Sequence, residues 1–398
     1  MAEESFKNYF KTQKKIAKLL GISFTGDESI TYKLYSLLFV CFFSICYPIL
    51  AVVELFKHEF DVVANMIMYT FGIYMGMAKT LTILYNRIKI GDMMNKIEAV
   101  PFIYNAERGG EEEKKLIKRC LWITNAQTYI YYGLGTATLF AGFLFTVIRR
   151  ISSNDHRDWE FAYGPITLLN ITYSPNYEIT LCYQNLSIIW IGYHFVTADL
   201  LVADILVHIS FQFKMLQNNF RRIRIVTCKK EENTKLDQAD CLKESLEEAV
   251  RYHLAILDLA EEIENLYNGL LLFVFMSTLG MLCFIIYRAS LLKLGDTQMI
   301  RNLFEGCSIA LQVLIICYWG QQVTNESEEV ANSVFDSKFE GNPLWFQKSL
   351  ILSIGRSQRP TKITAGKFAD IGLPTFQWIM KTSYSAFMVV YNKNTSEN

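Results

Sequence analysis

The sequence has few charged residues, and their two signs are balanced. Only 20% of the 398 residues are charged, against roughly 25% in soluble globular proteins, and 39 Lys and Arg residues face 39 Asp and Glu residues. A net charge of zero excludes a nucleic-acid binder that works by bulk positive charge, and it excludes an acidic disordered chain. The composition also excludes a collagen-like fibre.

The common catalytic and metal-binding motifs are missing as well. There is no Gly-x-x-x-x-Gly-Lys, no Gly-x-Ser-x-Gly and no His-Glu-x-x-His. The five histidines are scattered without ligand spacing, and the nine cysteines include no Cys-x-x-Cys pair. We therefore predict that the chain is not an enzyme and that it holds no cofactor and no metal ion.

What the sequence does contain is apolar residues, 51% of the chain, gathered into seven long runs. A helix that crosses the ~30 Å hydrocarbon core of a bilayer needs roughly 20 mostly apolar residues. The runs of that length are 35–55, 62–85, 128–148, 187–212, 267–287, 302–323 and 368–391. The fold class predicted from them is an all-α membrane protein with seven transmembrane helices.

The basic residues give the orientation of these helices. Twenty-nine Lys and Arg residues fall on the side of the N-terminus, and eight fall on the other side. Because basic residues stay cytoplasmic, we predict a cytoplasmic N-terminus and an extracellular C-terminus, with the first span acting as an uncleaved anchor. G-protein-coupled receptors have the opposite orientation. The sequence also lacks two of their motifs, an Asp-Arg-Tyr-like triplet after the third span and Asn-Pro-x-x-Tyr in the seventh. Asn170 is a glycosylation candidate on the outer side.

Two cytoplasmic segments allow two interpretations each. The N-terminal arm has lysines on one helical face and apolar residues on another, which fits either a helix at the lipid interface or a helix packed on the bundle. Segment 213–266 is predicted to extend spans four and five as helices with a leucine stripe. That stripe fits either self-assembly or packing within the chain.

Polar and small residues inside the spans also leave alternatives open. Lys79 and Asp204 lie at equal predicted depth, so they form either an ion pair or separate contacts with a wet vestibule. Gly72 and Gly76 predict close helix packing, or room for a ligand. The aromatic outer loop 149–186 is predicted to fold as a lid over the outer ends of the helices.

From the sixth span onward the sequence resembles the insect odorant receptors. The matching stretches are Ile315–Gly320, Glu328–Ala331, Leu350–Gly355, Gln358–Pro360, Ala365–Phe368, Thr375–Phe376 and Lys381–Phe387. The obligate co-receptor of that family has a long insertion before span five, and the segment 213–266 is too short for it. The resemblance therefore implies a ligand-tuning subunit.

The same resemblance implies a cation channel of four subunits, gated by a volatile hydrophobic ligand. The ligand pocket would lie in the outer halves of spans two, three, four and six, at Met66, Tyr69, Thr70, Tyr74, Leu139, Phe140, Phe143, Trp190, Tyr193, His194, Leu303 and Cys307. The pore would be lined by span seven at Gln377, Tyr384, Phe387, Val390 and Tyr391, with Phe387 and Tyr391 as gate candidates.

Three regions follow from this resemblance. Residues 1–323 would form the six-helix bundle with its N-terminal arm, pocket and cytosolic extensions, 324–367 the cytosolic anchor where subunits meet through Trp345 and Phe346, and 368–398 the pore helix with an outer tail. The implied partners are the odorant co-receptor, in a hetero-oligomer of four chains, and membrane lipid, but no nucleic acid. The implied location is the plasma membrane of a sensory dendrite. The alternative is a seven-helix chemoreceptor or transporter without its own pore.

Overall fold

The structure is a computed structural model, and it shows an almost entirely helical chain. It describes residues 8–57, 60–153, 155, 159, 161–234, 237–291 and 297–397, without the side chains of 60–65, 232–234, 291, 297–298, 301 and 390–397. The helices are α1 (Lys11–Leu19), α2 (Ile30–Phe39), a π-helical segment (Val40–Cys46), α3 (Tyr47–Leu55), α4 (Phe60–Ile97), α5 (Ala106–Ser152), α6 (Asn176–Arg221), α7 (Ile223–Thr234), α8 (Gln238–Leu291), α9 (Thr297–Phe335), α10 (Leu344–Ser357) and α11 (Leu373–Glu397).

Among the described residues, six helical stretches are long and apolar enough to cross a membrane, and they match six of the seven spans predicted from the sequence. They comprise Ile30–Leu55, which joins α2, the π-helical segment and α3, and five single helices, α4, α5, α6, α8 and α9. The seventh predicted span lies in α11, which has 25 residues. The helices that hold spans two to six extend well past the predicted apolar runs, because polar residues continue the same helices beyond the hydrocarbon core. The chain is a multi-pass membrane protein, and its orientation stays a prediction.

Helix α6 is the centre of the bundle. Every residue from Val196 to Phe213 is buried, although Asp199, Asp204 and His208 are among them. A helix that is apolar around most of its circumference is covered by protein on all sides. Its polar side chains must therefore find partners inside the chain, since a buried charge without a partner is costly.

Helix α1 supplies one of those partners. Phe10 and Ala17 are fully buried, and the Phe10 ring lies 4.6 Å from the His208 ring of α6. One turn on, Gln13 Nε2 donates to Asp204 Oδ2 at 2.8 Å. The arm thus packs against the bundle, which decides between the two interpretations of its amphipathic pattern. The exposed Lys11 and Lys15 are on its outer face.

The leucine stripe of 213–266 is largely covered within the chain. Leu242 and Leu246 of α8 are buried in the main core, whereas Leu254 is exposed. Packing within one chain therefore accounts for the first part of the stripe.

The segment 324–367, which is the predicted cytosolic anchor, contains α10 and a two-stranded antiparallel hairpin that the sequence did not predict. Strands β1 (Thr364–Ala365) and β2 (Ala369–Asp370) form the hairpin, which turns through Gly366 at φ +64°. In α10, Phe346 is fully buried in the chain's own core and Trp345 is partly exposed. Helix α9 passes without a break across residue 323, so the division into three regions stays a prediction.

Gly76 allows α4 and α6 to approach closely. A Cβ placed on Gly76 would lie 2.5 Å from Ile191 Cγ2 of α6. Gly72, one turn away, would place its Cβ 3.2 Å from the flexible end of Met281. The two glycines therefore differ, since Gly76 serves helix packing and Gly72 leaves space.

Gly76→Ala is expected to destabilise the protein by about 1–3 kcal/mol, because the two helices must separate to admit the methyl group. The thermal unfolding of the purified protein in detergent measures this. Gly133→Ala is the matched control in α5, since a Cβ there meets nothing within 4 Å. Equal stability of both variants would contradict the packing role of Gly76.

Candidate ligand pocket

An apolar cavity of about 170 Å³ lies between five helices of the bundle. Helix α6 lines one side of it with side chains spaced three or four residues apart, and α4, α5, α8 and α9 close the others. The lining residues are Met68, Tyr69, Gly72, Ile73, Thr138, Leu139, Tyr163, Ile188, Ile191, Gly192, Phe195, Met281, Ile285, Glu305 and Ile309. A cavity of this size is close to the ~150 Å³ cavity of an engineered apolar core that takes up benzene.

The described part of the loop between α5 and α6 packs beside the cavity, and its predicted role as a lid stays a prediction. Tyr163 of this loop lines the cavity, and its ring meets the Tyr69 ring edge-on at 5.5 Å. Arg288 of α8 donates to the Tyr69 hydroxyl. The loop is tied to the first span by Thr167, whose backbone N–H donates to Glu54 Oε1 at 2.9 Å. Aromatic packing and these hydrogen bonds hold the loop against the helices.

The ring of Phe195 lines the cavity, and a buried ion pair lies next to this ring. Lys79 Nζ is 3.5 Å from the centre of that ring and 2.7 and 2.9 Å from the two carboxylate oxygens of Asp199. Tyr131 donates its hydroxyl hydrogen to Asp199 Oδ2 at 3.3 Å. Lys79 is fully buried. Both sequence-based alternatives for Lys79 are therefore wrong, because its partner is Asp199 and it faces no vestibule.

Asp204 belongs to a second polar cluster, five residues farther along α6. Besides Gln13, it accepts a hydrogen bond from Gln127 Nε2 of α5. The carbonyl oxygen of Gln127 accepts from Trp319 Nε1 of α9 at 2.9 Å. This cluster therefore joins four helices, α1, α5, α6 and α9.

Of the pocket residues predicted from the sequence, the cavity brings together two, Tyr69 and Leu139. Three others are buried outside its lining, namely Met66, Thr70 and His194; three are half-buried, namely Tyr74, Trp190 and Tyr193; and four are exposed on the single chain, namely Phe140, Phe143, Leu303 and Cys307. His194 Nε2 is hydrogen-bonded to the carbonyl oxygen of Leu20 at 3.0 Å. A role for these ten residues in ligand binding stays a prediction.

The pore prediction falls on α11, where the side chains face two ways. Gln377 and Tyr384 are exposed, while Phe387 is buried and its ring lies 6.0 Å from that of Tyr384. Val390 and Tyr391 lie outside the described side chains. Asn170 is exposed and its side-chain oxygen accepts from Thr172, so a glycan has access to it.

Sequence reasoning missed the other lining residues, although part of the signal was present. Ile188, Ile191 and Phe195 have helical spacing on one face of α6, and Gly192 adds a gap on that same face. A glycine beside such a face marks open space, because no side chain fills it. Glu305 could also have been found from the sequence, because it is a charged residue within an apolar span.

Comparison with known proteins identifies the family of this chain. The family model described as 7tm Odorant receptor matches residues 59–384. Odorant receptor 85c of Drosophila melanogaster is 22% identical over 322 residues, which cover 80% of this chain and 79% of that protein. Odorant receptor 85f of the same organism is 28% identical over 156 residues, or 38% of each chain. For seven of the curated relatives that it matches, including 85f, the chain spans less than half of their length.

The fold is also similar to a solved structure. The insect olfactory receptor OR5 from Machilis hrabei in complex with eugenol has a TM-score of 0.82 and 15% sequence identity, covering 98% of this chain and 99% of the other. At that identity the likeness shows the fold, with its seven membrane helices. The family match over most of the chain shows more, and the chain belongs to the 7tm odorant receptor family.

Proposed function

We propose that this chain is the ligand-binding subunit of an odorant-gated, non-selective cation channel in the plasma membrane of sensory neurons, and that it is not an enzyme. The observation that carries the proposal is the apolar cavity between the helices of a bundle of this family. A solved structure with the same fold contains eugenol, which supports a small-molecule site. Burial of a volatile hydrophobic ligand would contribute about 0.8 kcal/mol per CH₂ group.

Helix α9 connects the cavity to the proposed pore helix. Ile309 lines the cavity, and Gly320 lies against Ile371, two residues before α11 begins. A ligand that fits one arrangement of α9 better than another shifts the protein toward that arrangement. Movement of α11 would then open an apolar constriction to water and cations. The remaining subunits of the proposed tetramer would include the family's co-receptor.

Whole-cell recording across an odorant panel, with and without the co-receptor, tests this function. We expect an odorant-evoked cation current that persists when G-protein signalling is blocked. Silence in the presence of the co-receptor, despite expression at the cell surface, would contradict the proposal. Loss of the current on G-protein block would favour a receptor without its own pore.

Gly192→Leu is expected to raise the half-maximal ligand concentration at least about tenfold. A Cβ on Gly192 would lie 3.5 Å from Leu139 Cδ1, so the longer side chain must extend into the cavity and displace the ligand. Current against ligand concentration measures the effect. Gly133→Leu, on an open face of α5, is the control. An unchanged response in Gly192→Leu would mean that ligands bind elsewhere.

A further inference from the structure

The buried face of α9 is polar where a membrane helix is usually apolar. Asn302, Glu305, Ile309 and Gln312 follow one another at spacings of three, four and three residues, and their exposed fractions are 1%, 8%, 8% and 0%. The side-chain amides of Asn302 and Gln312 have no hydrogen-bond partner among the described residues. A buried polar group without a partner is destabilising, and polar residues kept within a membrane span mark functional sites.

Glu305 is where this polar face enters the cavity, and it is the only charged residue in the described lining. Two of the three hydroxyl side chains in the described lining have hydrogen-bond partners within the chain. Thr138 Oγ1 lies 3.0 Å from both the Leu134 carbonyl oxygen and Ser308 Oγ, and the Tyr69 hydroxyl accepts from Arg288. A carboxylate has about four acceptor positions on its two oxygens. It can therefore accept a hydrogen bond from a ligand in addition to any contact within the chain.

We propose that the cavity selects small molecules of about one ring in size that carry a hydroxyl group, and that this hydroxyl donates its hydrogen bond to the carboxylate of Glu305. The inference rests on the proposed function and names the ligand class for the same site. Ethers, esters and ketones of equal size offer only acceptors, so they cannot donate a hydrogen bond to this carboxyl group. A hydrocarbon leaves the carboxylate without this hydrogen bond.

The surroundings favour a hydroxyl over an amine. Burial of an ammonium ion in an apolar cavity costs far more than burial of a hydroxyl. The guanidinium of Arg288 is also close, since its Cζ lies 5.0 Å from the centre of the Tyr69 ring, which is part of the lining. A second cation beside it would be repelled. Glu305 is thus placed as a specificity-determining residue for neutral donors.

Matched ligand sets test the inference in whole-cell recordings of the channel with its co-receptor. Each set holds a ring or short-chain alcohol, its methyl ether, the corresponding primary amine and the parent hydrocarbon. For the wild type we expect a half-maximal concentration at least about tenfold lower for the alcohol than for its ether, since a hydrogen bond to a charged group has an effect of that size. Glu305→Met should reduce this ratio to about one while hydrocarbon responses persist, and Glu305→Gln should give an intermediate ratio.

Controls distinguish a misfolded variant, a wrong ligand class and a wrong channel function from one another. Glu328→Gln, at an exposed position farther along α9, should keep the wild-type ratio. Hydrocarbon-evoked current and surface labelling show that the Glu305 variants fold. Equal wild-type responses to alcohol and ether, or a preference for the amine, would overturn the hydroxyl assignment but leave the channel function intact. A wild type that is silent to every ligand at the cell surface would overturn the proposed function itself.

Discussion

Lys79→Met is expected to destabilise the folded protein by about 3–5 kcal/mol, the largest loss that we expect for a single side chain. The substitution keeps most of the volume next to the ring of Phe195 but removes the positive charge. Asp199 would then be left as a buried carboxylate with only the Tyr131 hydroxyl as a partner among the described contacts. Breaking a buried ion pair from one side has a cost of this size. Chemical denaturation of the purified protein in detergent, followed by tryptophan fluorescence, measures it.

The double variant Lys79→Met with Asp199→Leu identifies the cause. Replacing both partners of a buried pair by apolar residues is often neutral or stabilising, so the double variant should recover most of the lost stability. Lys362→Met is the control for an exposed pair, because Lys362 and Asp370 are each about half exposed and such pairs contribute about 0–1 kcal/mol. If Lys79→Met were as stable as Lys362→Met, the ion pair next to Phe195 would have no structural role.

Gly320→Ala is expected to abolish most of the ligand-evoked current. A Cβ on Gly320 would lie 2.5 Å from the backbone oxygen of Ile371 and 2.6 Å from its Cγ2. A backbone atom cannot rotate away as a side chain can, so the segment that leads into α11 must move. Since α11 is the proposed pore helix, this displacement acts on the pore without changing any residue that lines the cavity. Whole-cell current at saturating ligand measures the loss.

The outcome depends on separating folding from gating. Surface labelling of Gly320→Ala should remain within about twofold of the wild type, because most of the bundle keeps its contacts. Gly355→Ala in α10 is the control, since a Cβ there meets nothing within 4 Å. A full current in Gly320→Ala would show that the close approach of α9 to Ile371 is not needed for opening.

The structure shows the contacts made by one of the stretches that resemble the family. Within Ile315–Gly320, the Trp319 indole donates to Gln127 and thereby reaches the Asp204 cluster, and Gly320 admits the chain before α11. The resemblance groups these residues into one motif, but it does not show which residue each of them contacts. The contacts involve partners about 190 residues away for Trp319 and about 50 for Gly320, which no local pattern indicates.

The ion pair of Lys79 shows that depth in the membrane is not enough to identify the partner of a buried charge. Lys79 and Asp204 were matched by distance along their helices, whereas the true partner, Asp199, lies five residues earlier. Five residues of helix amount to about 7.5 Å and about 140° of rotation, so the two carboxylates face different sides of α6. Asp199 faces α4, and Asp204 faces α1 and α5.

The sequence by itself determined the membrane class, the number and order of the spans, and the family. These features depend on the length of apolar runs and on local motifs, both of which can be read along the chain. Only the tertiary structure decided which face of each helix lines the cavity, which charges pair, and that Glu305 enters the site. The physical reason is that lipid and protein core are equally apolar. The hydrophobicity of a membrane helix therefore leaves its rotation open, and contacts with the neighbouring helices fix it.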